Sequence, residues 1–472
     1  MTKFIGRKRQ LQGLMQLRKN RGASLVVLRG RRRIGKTRLA EEFSHTFEKK
    51  YFFAGLAPEP GISQADQRKE FLRQMVEQKI PCFPSDDWGD LFTQLAQHCQ
   101  MGETLIVFDE ITWMCMNDVT YLPKLKNAWD SQFKKNDNLV FIISGSNSAW
   151  IKRNILCSTG FYGRISYRSK LDELSLHQCN EFWGNLKDKI SAYEKLKILT
   201  VTGGIPRYLE EIQPKQTAEE NIYRLCFQPE GLLFNEFDDL FKDLFERRDV
   251  RYKDIIKALV DGNTNVDSIA EALNRKKGGD LSNALEELSE DGFVSRSYRW
   301  NIKSCKQIEK TSQYRVVDNY FRFYIKYILP YKHRIEMGEM ENLPSGWESI
   351  LGLQFENLVI NNRKSLHRLL QIPASEVVFS NPYLQRETKL IPGCQIDYMV
   401  QTKFNVLYVC EIKFSKHEIP PGVISEVEKK ISRLKIPRGF SVRPVLVHIN
   451  GVSDELVARD YFANIIDFAD LL

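Results

Sequence analysis

Three short apolar runs, Ser24–Arg29 (SLVVLR), Thr104–Phe108 (TLIVF) and Leu139–Ser144 (LVFIIS), mark the first third of the chain. Each is followed by a polar turn and a helix-like stretch. Strands buried on both faces of a parallel sheet read as continuous apolar runs, so these segments predict an α/β sheet. From about Leu174 to Phe245 the periodicity becomes helical, interrupted at Gly203–Pro206. Tyr252–Val260, Val266–Leu273 and Leu281–Glu290 then predict three helices, and Phe293–Trp300 with Gln313–Val317 predicts a two-stranded wing. Tyr320–Tyr331 is rich in aromatic residues. After Pro344 a helical stretch precedes alternating strands at Gln395–Gln401 and Val406–Phe414. These shifts divide the 472 residues into segments 1–170, 171–245, 246–317, 318–345 and 346–472. At ~150 residues per domain the length alone suggests about three domains.

The turn after the first run carries chemistry. Gly30-Arg-Arg-Arg-Ile34-Gly35-Lys36-Thr37 matches G-x-x-x-x-G-K-[ST], with a strand before it and the helical TRLAEEF after it. In that context glycines let backbone N–H groups turn inward around a phosphate at a helix N-terminus. Lys36 can reach the β/γ oxygens, and the Thr37 hydroxyl can serve Mg²⁺. Leu105-Ile-Val-Phe-Asp109-Glu110 supplies a second element, in which Asp109 at a strand tip can hold the Mg²⁺ shell and Glu110 can polarise water. The third run ends in Ser144-Gly145-Ser146, whose hydroxyls are candidates for sensing the γ-phosphate.

Composition sharpens this picture. With 42% apolar and 27% charged residues the chain is ordinary globular material. Its formal charge of +9 is concentrated at one end, since residues 1–50 hold 15 basic and 3 acidic side chains. That excludes a generally basic, histone-like protein and assigns the excess first to the phosphate-binding loop and its flanks. The nine cysteines are scattered without a C-x-x-C pair, which argues against a disulfide framework or zinc ribbon. No stretch reaches transmembrane length, and the N-terminus lacks the apolar segment of a signal peptide, so a cytoplasmic protein without membrane partners is expected.

On these residues the chain resembles AAA+-type and STAND-type P-loop ATPases. Phe4-Ile5-Gly6-Arg7 with Leu11 is similar to their F-x-G-R-x-x-x-L element on the adenine side, and Thr202-Gly203-Gly204-Ile205-Pro206 to the G-x-P element of their helical subdomain. Phe161-Tyr162-Gly163-Arg164 is similar to a YGR element of the archaeal and bacterial branch. The resemblance implies ATP and Mg²⁺ as ligands. Ile5, Gly6, Arg7, Gly30, Ile34, Gly35, Lys36, Thr37, Arg38, Asp109, Ser146 and Pro206 would line the nucleotide site. Arg164 would act as an arginine finger or γ-phosphate sensor, against the alternative of an arginine paired to a surface carboxylate. A finger working in trans would require a homo-oligomer.

Residues 251–317 resemble a winged helix. The third helix, LSNALEELSEDG, carries Glu286, Glu287, Glu290 and Asp291 without a basic residue, which opposes insertion beside phosphates. Arg275, Lys276 and Lys277, and the wing's Arg296, Arg299, Lys303, Lys306 and Lys310, suit a nucleic-acid contact better. Two roles stay open, an inter-domain one, which the charges favour, and direct contact with nucleic acid.

The last segment has chemistry of its own. Glu356 lies on an amphipathic helix, Asp397 on a strand, and Glu411 and Lys413 on the next strand, where period 2 puts both on one face. If the strands form a hairpin, Asp397 joins Glu411. Two carboxylates can then hold a hard divalent cation beside a lysine, as phosphodiester hydrolysis requires. Asp397…Glu411-x-Lys413 with Glu356 resembles the PD-(D/E)xK restriction-endonuclease-like fold over residues 346–450, with Ile396 where a proline commonly precedes the aspartate. The resemblance implies catalytic Glu356, Asp397, Glu411 and Lys413, with Mg²⁺ or Mn²⁺ on Asp397 and Glu411. The expectation is therefore an α/β P-loop NTPase with a helical and winged-helix middle and a C-terminal nuclease-like α/β domain. It would be an ATP-hydrolysing switch controlling a nuclease that acts on nucleic acid, plausibly DNA. The alternative is a signalling or scaffold ATPase whose last domain only binds a protein partner or nucleic acid. A third reading, a winged-helix transcription regulator, requires one preferred DNA sequence.

Overall fold

A computed structural model of the chain describes residues 3–116, 118–245, 249–275, 278–389 and 391–472. Lys276 and Lys277 lie outside the described residues, as does the side chain of Lys310. The chain forms two compact units. One comprises residues 1–173 with 239–249 and 290–292, the other 174–238, 250–289 and 293–472.

The first unit is built on five parallel strands, β1 (Ser24–Arg29), β2 (Lys49–Ala54), β3 (Thr104–Asp109), β4 (Leu139–Gly145) and β5 (Ile165–Lys170), in the order β2-β3-β4-β1-β5. The three predicted runs are its central strands, almost wholly buried. The two edge strands, KKYFFA and ISYRSK, are half-exposed, and continuous apolarity therefore does not announce them. Labelled helices are α1 (Lys8–Leu17), α2 (Lys36–Ser44), α3 (Gln64–Glu77), α4 (Trp88–His98) and α5 (Tyr121–Ser131). Much of the core is aromatic. Phe53 stacks on Phe71 at 4.5 Å, Trp88 meets Tyr121 edge-on at 4.8 Å, and Phe108 meets Phe141 at 4.7 Å. Helices α3, α4 and α5 are thereby fixed against β2, β3 and β4.

The outer edge of β2 and the turn after it are closed by side chains. Three glutamines of α3 each place a carboxamide against the backbone N–H and C=O of one residue. Gln78 pairs with Phe52 at 2.8 and 2.9 Å, Gln74 with Ala54 at 2.9 Å twice, and Gln67 with Leu56 at 2.9 Å twice. Alternate residues of a strand present outward groups on one edge, so the amides stand in for a neighbouring strand. A capping box between Ser63 and Asp66 fixes where α3 begins and hence the spacing of its amides along β2.

The second unit contains helix α6 (Ala192–Thr202) and three helices, α7 (Asp249–Val260), α8 (Val266–Ala272) and α9 (Gly279–Glu290). An antiparallel pair follows, β6 (Val294–Asn301) with β7 (Lys306–Val316). Beyond it lie α10 (Leu351–Asn361), β8 (Val377–Gln385), β9 (Cys394–Thr402), β10 (Val406–Lys413), α11 (Gly422–Arg433), β11 (Ser441–His448) and β12 (Asn464–Asp467). These five strands form a mixed sheet, β12-β11-β10-β9-β8, antiparallel from β8 to β10 and parallel from β10 to β12.

The β6–β7 hairpin shares a core with this mixed sheet. Trp300 is buried with Ile396, Met399, Leu407 and Val409 and stacks on Phe379 at 5.2 Å. Its indole N–H donates to Gln401 Oε1 at 2.6 Å, and Gln401 Nε2 donates back to the Ile302 carbonyl at 2.9 Å. A polar seam continues the attachment. Gln354 of α10 donates to the Thr200 and Asn319 carbonyls at 3.0 and 2.7 Å and accepts from Arg322, while Asn357 donates to the Val317 carbonyl at 2.6 Å.

The glutamine pairs generate a test. Gln74→Leu with Gln78→Leu leaves four outward backbone groups of β2 to water. The expected loss is about 0.5–1.5 kcal/mol per pair, with concentration-dependent self-association through the bare edge. Urea unfolding and light scattering would read the two effects; an unchanged midpoint with a monodisperse particle would refute them.

Candidate functional sites

In the first unit the loop after β1 runs directly into α2. Gly35 caps that helix with φ 87°, a left-handed conformation that a side chain resists. Gly30 also has positive φ, and a Cβ there would lie 2.5 Å from the Leu171 carbonyl oxygen. Arg7, buried and itself at φ 56°, ties the loop to the rest of the unit by donating to the carbonyls of Ile34 at 3.0 Å and Asp172 at 2.6 Å. Ile34 is buried, while Ile5 and Gly6 lead into Arg7 at the start of α1. Arg31, despite its place in a basic loop, is 3% exposed and lies 3.9 Å from Glu173. Arg38, on α2, reaches Glu41 at 3.4 Å.

The sheet order puts β4 between the loop strand β1 and the acidic strand β3. All three tips therefore converge. Asp109 accepts from the Thr37 hydroxyl on one oxygen at 2.5 Å and from the Ser144 hydroxyl on the other at 2.5 Å. Glu110, in a left-handed conformation at φ 47°, accepts from the Ser146 N–H at 2.9 Å and its hydroxyl at 2.8 Å. Lys36 curls over the loop, donating to the carbonyls of Gly30 and Arg31, with its amine 3.6 Å from Glu110. The Thr37–Asp109 pair is of the right chemistry for Mg²⁺, a hydroxyl and a carboxylate from two strand tips. Ser144 and Ser146, the candidates for sensing the γ-phosphate, here hydrogen-bond the two carboxylates.

Arg164 makes a two-point pair with Asp130 of α5, Nε to Oδ1 and Nη2 to Oδ2, both at 2.8 Å. Action on a nucleotide would require that pair to open. Pro206 starts the short helix Pro206–Leu209 of the second unit, behind a buried Ile205.

In the C-terminal sheet β9 and β10 are an antiparallel pair with Cys410 opposite Tyr398, so Asp397 adjoins Glu411. Asp397 Oδ2 accepts from the Ile412 N–H at 2.9 Å, which fixes the carboxylate on the strand. Lys413 lies on the Glu411 face, but its amine turns outward to Glu426 of α11 at 2.7 Å. The amine that reaches the carboxylates is that of Lys430, one helical turn further along α11. It lies 2.5 Å from Glu411 and 3.5 Å from Asp397. Sequence reading passed over Lys430; the available signal was Glu426-x-x-x-Lys430, an i,i+4 pair that puts both on one helix face. Glu411 is buried and Glu356 half-buried, and desolvation followed by the like charge of Asp397 raises both carboxyls, Glu356 to about 7. Among the described residues no group of three or more His, Cys, Asp or Glu side chains is arranged to hold a metal. The Asp397–Glu411 pair fits a divalent cation in charge and ligand type, at the position Lys430 now neutralises.

The Tyr252 hydroxyl donates to Glu287, so part of the acidic face of α9 is used internally. In the wing, Arg296 donates to Ser312 at 2.9 Å and lies over the Tyr298 ring.

Residues 4–212 match a family model described as an ATPase domain predominantly from Archaea. The chain is 26% identical over 376 residues to the uncharacterized protein MJECL04 of Methanocaldococcus jannaschii, a match covering 78% of this chain and 79% of that one. It is similar in fold to the Walker-type ATPase PABY2304 of Pyrococcus abyssi. The TM-score is 0.52 at 18% identity, covering 68% of this chain and 96% of that one. Residues 4–212 thus resemble an ATPase domain, and the fold is similar to that of a P-loop ATPase. No described helix is long and apolar enough to cross a membrane.

Two outcomes follow from the geometry. Ser146→Ala frees Glu110 from a hydroxyl while keeping the backbone contact, so steady-state kinetics should show kcat for ATP falling roughly tenfold with KM little changed. The second concerns Glu356. A carboxyl raised in the folded state binds its proton more tightly than in the unfolded chain. Its contribution to stability is present below about 4.5 and is lost as pH rises toward about 7. Glu356→Gln removes this dependence. Melting curves in EDTA between pH 5 and 8 should show the variant gaining on wild type by about 2–3 kcal/mol, and parallel curves would contradict it.

Proposed function

We propose that the chain is an ATP-hydrolysing switch that controls a Mg²⁺- or Mn²⁺-dependent nuclease site in its C-terminal sheet, with DNA as substrate. The observation that carries the first half is the convergence of Lys36, Thr37, Asp109 and Glu110 on the loop at the tip of β1. Lys36 and the loop amides bind the phosphates, and Glu110, steadied by Ser146, orients the attacking water. Mg²⁺ held by Thr37 and Asp109 would neutralise charge on the β- and γ-phosphates.

The second half rests on the register that joins Asp397 to Glu411 beneath the Lys430 amine. Asp397 and Glu411 would hold a divalent cation, which would supply charge neutralisation at the scissile phosphate. Lys430 is the better-placed lysine for orienting water or phosphate, and Lys413 is the outer one. Glu356, whose carboxyl is raised to about 7 by burial and by the Asp397 charge, adds a group that can donate a proton near neutral pH. The neutralised state of the pair also gives support to a second reading, a scaffold ATPase that binds a protein or nucleic acid without cutting it.

Lys36→Ala should lower ATP turnover on the order of a hundredfold or more. Labelled duplex, branched and single-stranded DNA with Mg²⁺ or Mn²⁺ should be cleaved by wild type, and not by Asp397→Asn that retains its ATPase. Lys430→Ala should impair cleavage more than Lys413→Ala. Absence of cleavage on all three substrates, with and without ATP, sinks the nuclease half. Equal Mn²⁺ uptake by wild type and Asp397→Ala in calorimetry then selects the scaffold.

A further inference from the structure

A cavity of about 640 Å³ opens beside the carboxylate pair, lined by residues of β8, β9 and α11. Its charged lining is Arg386, Lys430 and Arg433 against one acid, Glu387. Lys430 and Arg433 stand three residues apart on α11 and so share a helix face. Neither Arg386 nor Arg433 forms an ion pair among the described residues.

Three cations facing a single acid leave an excess of like charge, which costs free energy. An anion relieves it. The region from residue 346 onward holds 15 basic and 14 acidic side chains, so this concentration is local rather than a reflection of overall charge. Cations from two elements, the turn after β8 and α11, bordering a space of about 640 Å³, suit a ligand with several phosphates better than a single ion. Planar guanidinium groups match phosphate oxygens in geometry as well as in charge.

We propose that this cleft binds the sugar-phosphate backbone of nucleic acid, with Arg386 and Arg433 as phosphate contacts that bring the strand to Asp397 and Glu411. The proposal deepens the nuclease reading and rests on it for the choice of a phosphodiester. Lys430 then has two alternative partners, the carboxylates in the free protein and phosphate in the complex.

The test is binding of a fluorescein-labelled DNA oligonucleotide to the full chain by anisotropy, in EDTA so that nothing is cut. Wild type should bind with a steep salt dependence. Arg386→Glu with Arg433→Glu should bind at least about tenfold more weakly, with the log–log salt slope reduced by about 2, one for each lost phosphate contact. A wild-type far-ultraviolet circular-dichroism spectrum and urea midpoint in the double variant show that the chain is folded. Affinity and slope equal to wild type in the double variant overturn the proposal, as does equally tight binding of inorganic phosphate, which would mark a site for a free ion. Oligonucleotide binding lost in the double variant, without cleavage by wild type in Mg²⁺ or Mn²⁺, upholds the cleft and removes the nuclease reading. Cleavage by wild type with unaltered binding in the double variant does the reverse.

Discussion

The Asp109 carboxylate is the constraint on which the nucleotide site depends. One oxygen is bound by Thr37 at the start of α2 and the other by Ser144 at the end of β4. A single planar group therefore fixes three strand tips relative to one another, and the parallel order β3-β4-β1 makes this possible. Antiparallel neighbours would send alternate tips to opposite ends of the sheet. Parallel ones put every loop that follows a strand at the same end, where phosphate, cation and water must meet. The aromatic core beneath, from Phe53 to Phe141, gives these tips a rigid base.

The second unit meets a different problem. Its carboxylates are largely removed from water, where ionised groups are costly unless paired. The chain answers with one amine, that of Lys430, shared between Asp397 and Glu411, and with a Glu356 whose proton is retained to about pH 7. A site arranged in this way can exchange one cation for another at modest electrostatic cost. That is the physical basis for reading the pair as a metal site and equally for the scaffold alternative.

Charge location separates the two units. The +12 of residues 1–50 invites a nucleic-acid reading, yet several of its members are committed locally. Arg7 holds backbone carbonyls, Arg31 is buried near Glu173, and Lys36 bends over its own loop. The proposed contact for nucleic acid lies instead in a region with nearly balanced charge, where packing rather than composition assembles the arginines.

The central strands, the phosphate-binding loop and the Asp109–Glu110 tip were legible in sequence because their signals are local. Buried parallel strands must be continuously apolar, and a glycine-bounded loop before a helix has few other uses. The Glu411–Lys413 face was legible for the same reason, since strand alternation is a property of consecutive residues. Edge strands β2 and β5 were not, because half-exposed strands carry weaker patterns. Contacts distant in sequence were also hidden. Ser144 and Ser146 reach the carboxylates only because β4 lies next to β3, and the Lys430 amine reaches Glu411 and Asp397 only because α11 packs against this sheet. Trp300 joins the C-terminal core only because the hairpin folds onto β8. The sequence by itself determined which residues could do the chemistry and which strand tips bear them. The tertiary structure decided which lysine meets which carboxylate and where the arginines gather, because side-chain reach depends on packing between elements rather than on spacing within them.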